Sequence, residues 1–539
     1  MSIQNKHFLN DPSSLVLDSL RGLCAINPKL VLDEKNKSGF LPLEFSRNES
    51  KRRLWLVVYL GTHDRSKVAL LCGGGSGHEP AHAGFVGEGI LTGAVCGSVF
   101  ASPNASQVRR GIELIESEKG TVIIVKNYTG DVLNFGLAKE QYASLHPEQA
   151  NQVKFVIVGD DVAVGKTQGS IVGRRGLAGT VLVYKIAGAL ASRGESLEKV
   201  YNIAQWVASN VATIGVGLDH CHVPGTAKSS SHLQDSEIEI GMGIHNESGN
   251  RRLHPNPPLN ELIPELLDLL TSTTDPERSF LPFQGQEKLD ETTPTQSLLL
   301  SLLDEQADAP GWKWSSHVAP SAKPQLAKPA PQIIRRAFEA PLKAADPASF
   351  KASIERACSA VIGAEPEITR MDTIAGDAVL KKLSQNTISG EDLVGSVIAI
   401  AQVAEETMGG TSGALYSIFF FALAQGLQSQ PNIGIFTKNT VWCNALTYAL
   451  NQLYTYTRAR PPSRTLVDPL AAFIEAFAQN SGADPVEALN AAVSAAERTR
   501  DIEAKAGRSA YVEGNRLKQE RVADPGAWGV KTILESLLN

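Results

Sequence analysis

A change of texture around residue 312 divides this chain into two halves that cannot share one fold. Residues 313–344 run from Ser315-Ser316-His317-Val318-Ala319-Pro320 to Lys328-Pro329-Ala330-Pro331. Such a stretch is too poor in apolar side chains to pack and reads as an extended linker. Before it, in residues 1–312, short β-branched runs (Val68-Ala69-Leu70-Leu71, Val122-Ile123-Ile124-Val125, Phe155-Val156-Ile157-Val158) are separated by helical stretches, the pattern of an α/β domain. After it, in residues 345–539, alanine- and leucine-rich helical periodicity dominates, as in Ile398–Glu406, Leu415–Leu427 and Pro485–Thr499. The second half is therefore predicted to be all-α. A length of 539 residues also exceeds what one ordinary core holds.

Composition removes several function classes. A net charge of −6 with no extended block of like charge leaves no electrostatic footprint for nucleic acid, and Lys51-Arg52-Arg53 reads as a solvated surface or loop. Six singly placed cysteines (Cys24, Cys72, Cys96, Cys221, Cys358, Cys443) match neither a zinc site nor a disulfide scaffold and suit a reducing compartment. No apolar run approaches membrane-spanning length and Met1–Lys6 lacks a signal core, so the expectation is a cytoplasmic protein without a membrane partner.

Three segments of the first half carry chemistry: Gly73-Gly74-Gly75-Ser76-Gly77-His78-Glu79-Pro80, Lys126-Asn127-Tyr128-Thr129-Gly130-Asp131, and Gly241-Met242-Gly243-Ile244-His245-Asn246-Glu247. The first two follow strand-like runs, and loops at the carboxyl ends of strands are where open α/β sheets bind ligands. Glycines let backbone N–H groups approach a small hydroxylated molecule, while His78, Asp131 and His245 are groups that exchange protons or attack a carbonyl. Taken singly, each has a plain structural alternative: a tight turn, a polar surface loop, a satisfied histidine.

Two other motifs are weaker. Val162-Ala163-Val164-Gly165-Lys166-Thr167 imitates the end of a phosphate-binding loop, but Asp160 stands where the first glycine is required, and Asp160-Asp161 would repel phosphate. Asp219-His220-Cys221-His222 alternates possible metal ligands along an extended segment, which sends them to opposite faces.

Together with Glu79-Pro80-Ala81-His82-Ala83-Gly84, the three segments resemble the dihydroxyacetone kinase family over nearly the whole chain. The resemblance implies an α/β substrate-binding domain followed by an all-α helical-barrel nucleotide-binding domain. It also implies ATP and Mg²⁺ as cofactors, a small triose as the substrate partner, and a homodimer. By the resemblance, Gly75, Ser76, Gly77, His78, Lys126 and Asp131 bind the triose. His78 and Asp131 deprotonate the hydroxyl that is phosphorylated, and His245 holds the carbonyl as a covalent hemiaminal. Asp372 and Asp377 are the implied metal ligands, and Gly409, Gly410, Thr411, Ser412, Gly507, Arg508, Asp524, Pro525 and Gly526 the implied nucleotide contacts. A related member cyclises FAD, but nothing in these residues selects that activity.

The chain departs from the family in three places. The metal pattern expects a third aspartate where Val379 stands, and the glycine-rich continuation is missing as Asp377 runs directly into Ala378-Val379-Leu380. After Ser279-Phe280-Leu281-Pro282-Phe283 the first domain is shortened, which should expose apolar surface. Phe40–Tyr59 is longer than its counterpart. Clean gaps between matched blocks resemble altered splicing. The alternative to a working kinase is thus an impaired triose-binding or regulatory paralogue, or a mis-spliced product.

Overall fold

The computed structural model describes residues 11–12, 14–36, 54–169, 172–223, 233–280, 293–312, 325–326, 342–364, 379–385, 387–408, 410–429, 439–502 and 523–538. Packing divides the chain into two units, residues 1–135 with 151–332, and residues 136–150 with 333–539.

The first unit is built on a sheet of seven strands: β1 (Leu30–Asn36), β2 (Leu54–Leu60), β3 (Ala69–Ser76), β4 (Gly93–Val99), β5 (Thr121–Lys126), β6 (Val153–Val158) and, far along the chain, β10 (Gln325–Leu326). Their order is β10-β1-β2-β4-β3-β5-β6. β3 pairs in parallel with both β4 and β5, and β5 in parallel with β6, whereas β2 is antiparallel to β1 and β4. Parallel strands covered on both faces read as continuous apolar runs. Every residue of Thr121-Val122-Ile123-Ile124-Val125-Lys126 is accordingly buried.

One face of this sheet packs on helix α4 (Gly179–Ser192) and helix α5 (Leu197–Ser209), through Val122, Ile124, Val183, Ala187, Val200 and Ile203. A short sheet, β7 (Val216–Gly217), β8 (Ile238–Ile240) and β9 (Arg251–Leu253), forms an antiparallel meander in the order β7-β8-β9. It packs on helix α6 (Leu259–Thr271) through Leu262. α6 also carries exposed Leu259, Ile263 and Leu267 at a spacing of one helical turn. Residues 281–292, where the shortening is expected, lie outside the described residues. β2, at the end of the Phe40–Tyr59 segment that is expected to be longer than its counterpart, lies in the sheet interior with Val57 and Val58 fully buried, while Lys51-Arg52-Arg53 lies outside the described residues.

Among the described residues, 345–539 contains helices and no strand. Several helices start on an aspartate, often followed by proline. The Asp346 carboxylate accepts from the Ala348 and Ser349 N–H groups ahead of Pro347–Gly363, and Asp484 accepts from Glu487 N–H ahead of Pro485–Arg498. Proline at the first helical position lacks an N–H that would have no partner anyway. Gly410–Gln428 packs between Leu393–Thr407 and Asn439–Tyr456, and Pro525–Leu538 between Pro347–Gly363 and Pro485–Arg498.

Val379 lies in the apolar core of this unit, 7% exposed among Ile354, Cys358, Leu383, Ile388 and Val403. Asp at this point would be an uncompensated buried charge. Val379→Asp is expected to cost about 3 kcal/mol of stability, read as a lower denaturant midpoint; an unchanged midpoint would show that the side chain reaches water. A point substitution therefore does not rebuild the third metal position.

Candidate active site

The strand order 4-3-5 places three carboxyl ends side by side. From β3 come Gly75 and His78, from the end of β4 Phe100 and Ser102, and from the end of β5 Lys126, Tyr128 and Asp131. Along with His82, Gly130, Ile244 and His245 they enclose a cavity of about 150 Å³. His245 arrives from the β8–β9 hairpin.

This hairpin turns on Gly241, whose φ is +78°, and Asn246, whose φ is +64°. Gly243 is needed for a different reason. A Cβ there would lie 2.1 Å from the Glu247 carboxylate, so only glycine leaves room for Glu247 to fold back onto its own loop. Folded back, Glu247 accepts from the His245 backbone N–H at 2.8 Å and meets His245 Nδ1 at 3.0 Å. Burial raises the Glu247 carboxyl, but the hydrogen bonds from the His245 side chain and backbone outweigh it and bring the pKa down to about 2. An ionised Glu247 thus holds the proton on Nδ1 and leaves Nε2 with a lone pair directed at the cavity.

Nε2 of His245 stands 3.1 Å from Nε2 of His78. The His78 ring stacks on Phe100 with centroids 4.8 Å apart, and Tyr128 meets His245 edge-on at 5.0 Å. Burial, then Lys126 and His245, lower the His78 pKa to about 4, so its imidazole is neutral at physiological pH. Asp131 sits in the first turn of helix α3 (Thr129–Leu145) and accepts a short hydrogen bond from the Ser102 hydroxyl. Burial raises it to about 6, against the lowering effects of Ser102, Lys126 and His245. Lys126, 8% exposed, has its own pKa lowered by burial. A carboxylate weakened as an acid and a neutral imidazole, both on one small cavity, are suited to taking a proton from a hydroxyl.

Of the residues expected from sequence, Gly75, His78, Lys126, Asp131 and His245 line the cavity. The Ser76 hydroxyl donates to the Gly97 carbonyl at 2.8 Å, and Gly77 N–H donates to Glu79 Oε1 at 3.1 Å. The sequence alone gives no role to Phe100, Ser102, Tyr128, His82 and Glu247. Ser102 and Phe100 follow the parallel strand Gly93–Val99, whose small residues disguise it. Asp160 and Asp161 are buried framework: Asp160 accepts from the N–H groups of Leu177 and Gly179 at the start of α4, and Asp161 pairs with Arg175 at 2.7 Å. Among the described residues no group of three or more His, Cys, Asp and Glu side chains gathers as a metal site. The segment Asp219–His222 is instead tied to the His245 loop, where Asn246 Oδ1 accepts from Cys221 N–H at 2.8 Å.

In the helical unit, Gly410 opens a helix whose first turn exposes Thr411 and Ser412, an end chemically suited to phosphate. Asp524 caps the helix Pro525–Leu538 by accepting from Ala527 N–H at 2.9 Å. Asp372, Asp377, Gly409, Gly507 and Arg508 lie outside the described residues.

A Dak1 domain matches residues 44–291 and a DAK2 domain residues 373–539. Dihydroxyacetone kinase 2 of Saccharomyces cerevisiae is 36% identical, over 99% of this chain and 99% of its own length. The chain belongs to the dihydroxyacetone kinase family. The family is one of ATP-dependent kinases, and ATP is the cofactor that membership assigns. The human triokinase/FMN cyclase is 33% identical, covering 99% of each chain. A solved structure of the dihydroxyacetone kinase from C. freundii in complex with AMP-PNP and Mg²⁺ is 26% identical, covers 99% of each chain and has a TM-score of 0.44. The alignment to the yeast kinase runs over 612 positions against the 539 residues of this chain, so internal segments of that relative are absent here.

Proposed function

We propose that this protein phosphorylates a terminal hydroxyl of dihydroxyacetone with ATP, giving dihydroxyacetone phosphate, and accepts glyceraldehyde as a second triose. The observation that carries this reading is the convergence of His245, His78 and Asp131 on one cavity of about 150 Å³, a size suited to a three-carbon molecule.

In this reading the His245 Nε2 lone pair adds to the substrate carbonyl carbon. A C–N bond forms, the C=O π pair moves to oxygen, and that oxygen takes up a proton from solvent, completing a hemiaminal while His78 stays neutral. Glu247 accepts the Nδ1 proton from the alkylated ring as charge develops on it. Glycerol offers hydroxyls but no carbonyl, so the step is also a filter. Asp131, with His78 beside it, accepts the proton of the terminal hydroxyl, and Lys126 offsets charge on the oxygens. ATP supplies the phosphoryl group, with Asp372 and Asp377 as the proposed Mg²⁺ ligands. The proposed nucleotide contacts are Gly409, Gly410, Thr411, Ser412, Gly507, Arg508, Asp524, Pro525 and Gly526.

The helix neighbours in residues 345–539 support a closed helical barrel around the nucleotide site. The exposed ridge Leu259, Ile263 and Leu267 supports a homodimer. Among the described residues no helix is long and apolar enough to cross a membrane, in keeping with a cytoplasmic enzyme of glycerol metabolism. Product formation from dihydroxyacetone, ATP and Mg²⁺ by protein shown to be folded is the direct test. The second reading, a triose-binding paralogue without kinase activity, draws on the apolar burial of Val379. It predicts dihydroxyacetone binding without product.

Because Asp131 must be ionised to act and its pKa is raised to about 6, kcat/KM is expected to climb as pH rises through about 6. Below that point it should fall about tenfold per pH unit. His78, lowered to about 4, stays neutral over this window. A pH–rate profile with no acid limb near 6 would remove Asp131 from the role of base.

A further inference from the structure

Beneath the glycine-rich loop lies a third imidazole that the proposed mechanism leaves without a task. His82 is only 5% exposed, yet its ring lines the cavity. Nδ1 meets the Tyr184 hydroxyl at 2.8 Å and Cys72 Sγ at 3.3 Å, and both partners are fully buried. No hydrogen bond engages Nε2 among the described residues. That atom lies beside the bare Cα of Gly74. A Cβ on Gly74 would lie 3.0 Å from His82 Nε2 and 3.6 Å from Asp131 Oδ1, so the two polar atoms border the same small space on the cavity floor.

The neighbours decide the tautomer. Tyr184 has a single proton to give and two acceptors in reach, a thiol sulfur and an imidazole nitrogen. The nitrogen is much the better acceptor. Tyr184 therefore donates to Nδ1, which places the ring proton on Nε2, facing the cavity. Burial drives the His82 pKa well below the ordinary histidine value, so the ring stays neutral and keeps one N–H.

We propose that His82 is a further substrate-binding residue, its Nε2–H donating to the triose hydroxyl oxygen whose own proton points at Asp131. The inference rests on the triose-kinase reading above. It gives the reacting oxygen two fixed partners: it accepts from His82 and donates to Asp131, and its remaining lone pair is left for the phosphoryl group. As Asp131 takes the proton, the His82 hydrogen bond strengthens because charge grows on that oxygen. His82 keeps its proton throughout.

Two substitutions separate binding from structure. In His82→Asn the amide stands near the Nδ1 position and preserves a partner for Tyr184, but nothing replaces the Nε2–H donor. In His82→Gln the longer amide carries an N–H to the Nε2 position. Dihydroxyacetone affinity would be read by titration calorimetry, turnover by phosphate transfer, and folding by a melting curve. The expected result is a dissociation constant weaker by about tenfold in His82→Asn, on the scale of one lost hydrogen bond. kcat should fall as well, and His82→Gln should recover most of both. If the wild-type protein binds dihydroxyacetone but His82→Asn binds it within twofold and turns over at the same rate, the inference fails while the triose reading stands. Equal losses in both variants accompanied by lower melting temperatures would assign His82 to the framework and overturn the inference. If the wild-type protein binds no dihydroxyacetone, the triose reading itself fails and takes this inference with it.

Discussion

Replacing Asp131 by asparagine should lower kcat by about 10²–10⁴-fold, the usual contribution of a positioned general base, while making the fold more stable at pH 8. The two effects share one cause. The Asp131 carboxylate is held in a cavity that does not solvate it well, so its pKa is raised from 3.8 to about 6. A group whose folded pKa is raised contributes stability that is present below the unfolded value and lost as pH climbs through the folded value. Above pH 6 the ionised carboxylate is therefore a burden that asparagine removes, by on the order of 1–3 kcal/mol. Turnover measured beside a melting curve at pH 8 checks both halves. A variant that loses activity and melts lower would mean that Ser102 and Lys126 stabilise the ionised form after all. A variant of undiminished kcat would mean that the base is elsewhere.

His245→Ala should be at least as damaging, since it removes the group proposed to bond to the substrate. We expect a loss of about 10³-fold or more in kcat/KM for dihydroxyacetone, on the scale seen when a nucleophile is deleted. Selectivity is the sharper readout. With the carbonyl no longer held, the preference for dihydroxyacetone over glycerol should collapse, because what remains recognises hydroxyls in both. Dihydroxyacetone labelled with ¹³C at its central carbon offers a direct view: the wild-type protein should convert the ketone resonance to one of a tetrahedral carbon, and the variant should not. A ketone signal unchanged by excess wild-type protein would leave His245 as a hydrogen-bonding residue. Glu247→Gln provides a milder companion, since it keeps the side-chain shape but weakens the hold on the Nδ1 proton.

Part of this site could be read directly from the chain. His78 and Asp131 each follow a run of apolar β-branched residues, so the carboxyl end of a strand, and with it a ligand-binding edge, was visible within a dozen residues. Ser102 was not. It follows Gly93-Ala94-Val95-Cys96-Gly97-Ser98-Val99, whose glycines weaken any strand signal, and its hydroxyl matters only because β4 lies beside β3. Glu247 was visible as a neighbour of His245 but not as its partner, because the contact requires the empty space at Gly243. Val379 was recognised as a departure from a metal pattern. That it is buried against Ile354 and Leu383 depends on helices distant in sequence.

What the sequence determined by itself was therefore local: an α/β half, a helical half, and three loops bearing histidine and carboxylate. Each is written in periodicity or spacing over a few residues, and backbone geometry acts on that scale. The tertiary structure alone decided the strand order 4-3-5 that unites β3, β4 and β5 at one cavity. It also decided the hairpin that delivers His245 and the shift of Asp131 to about 6. The buried contact that sets the proton on His82 belongs to the same level. These depend on which distant groups remove water from one another, and desolvation is a property of the packed chain that no short stretch carries.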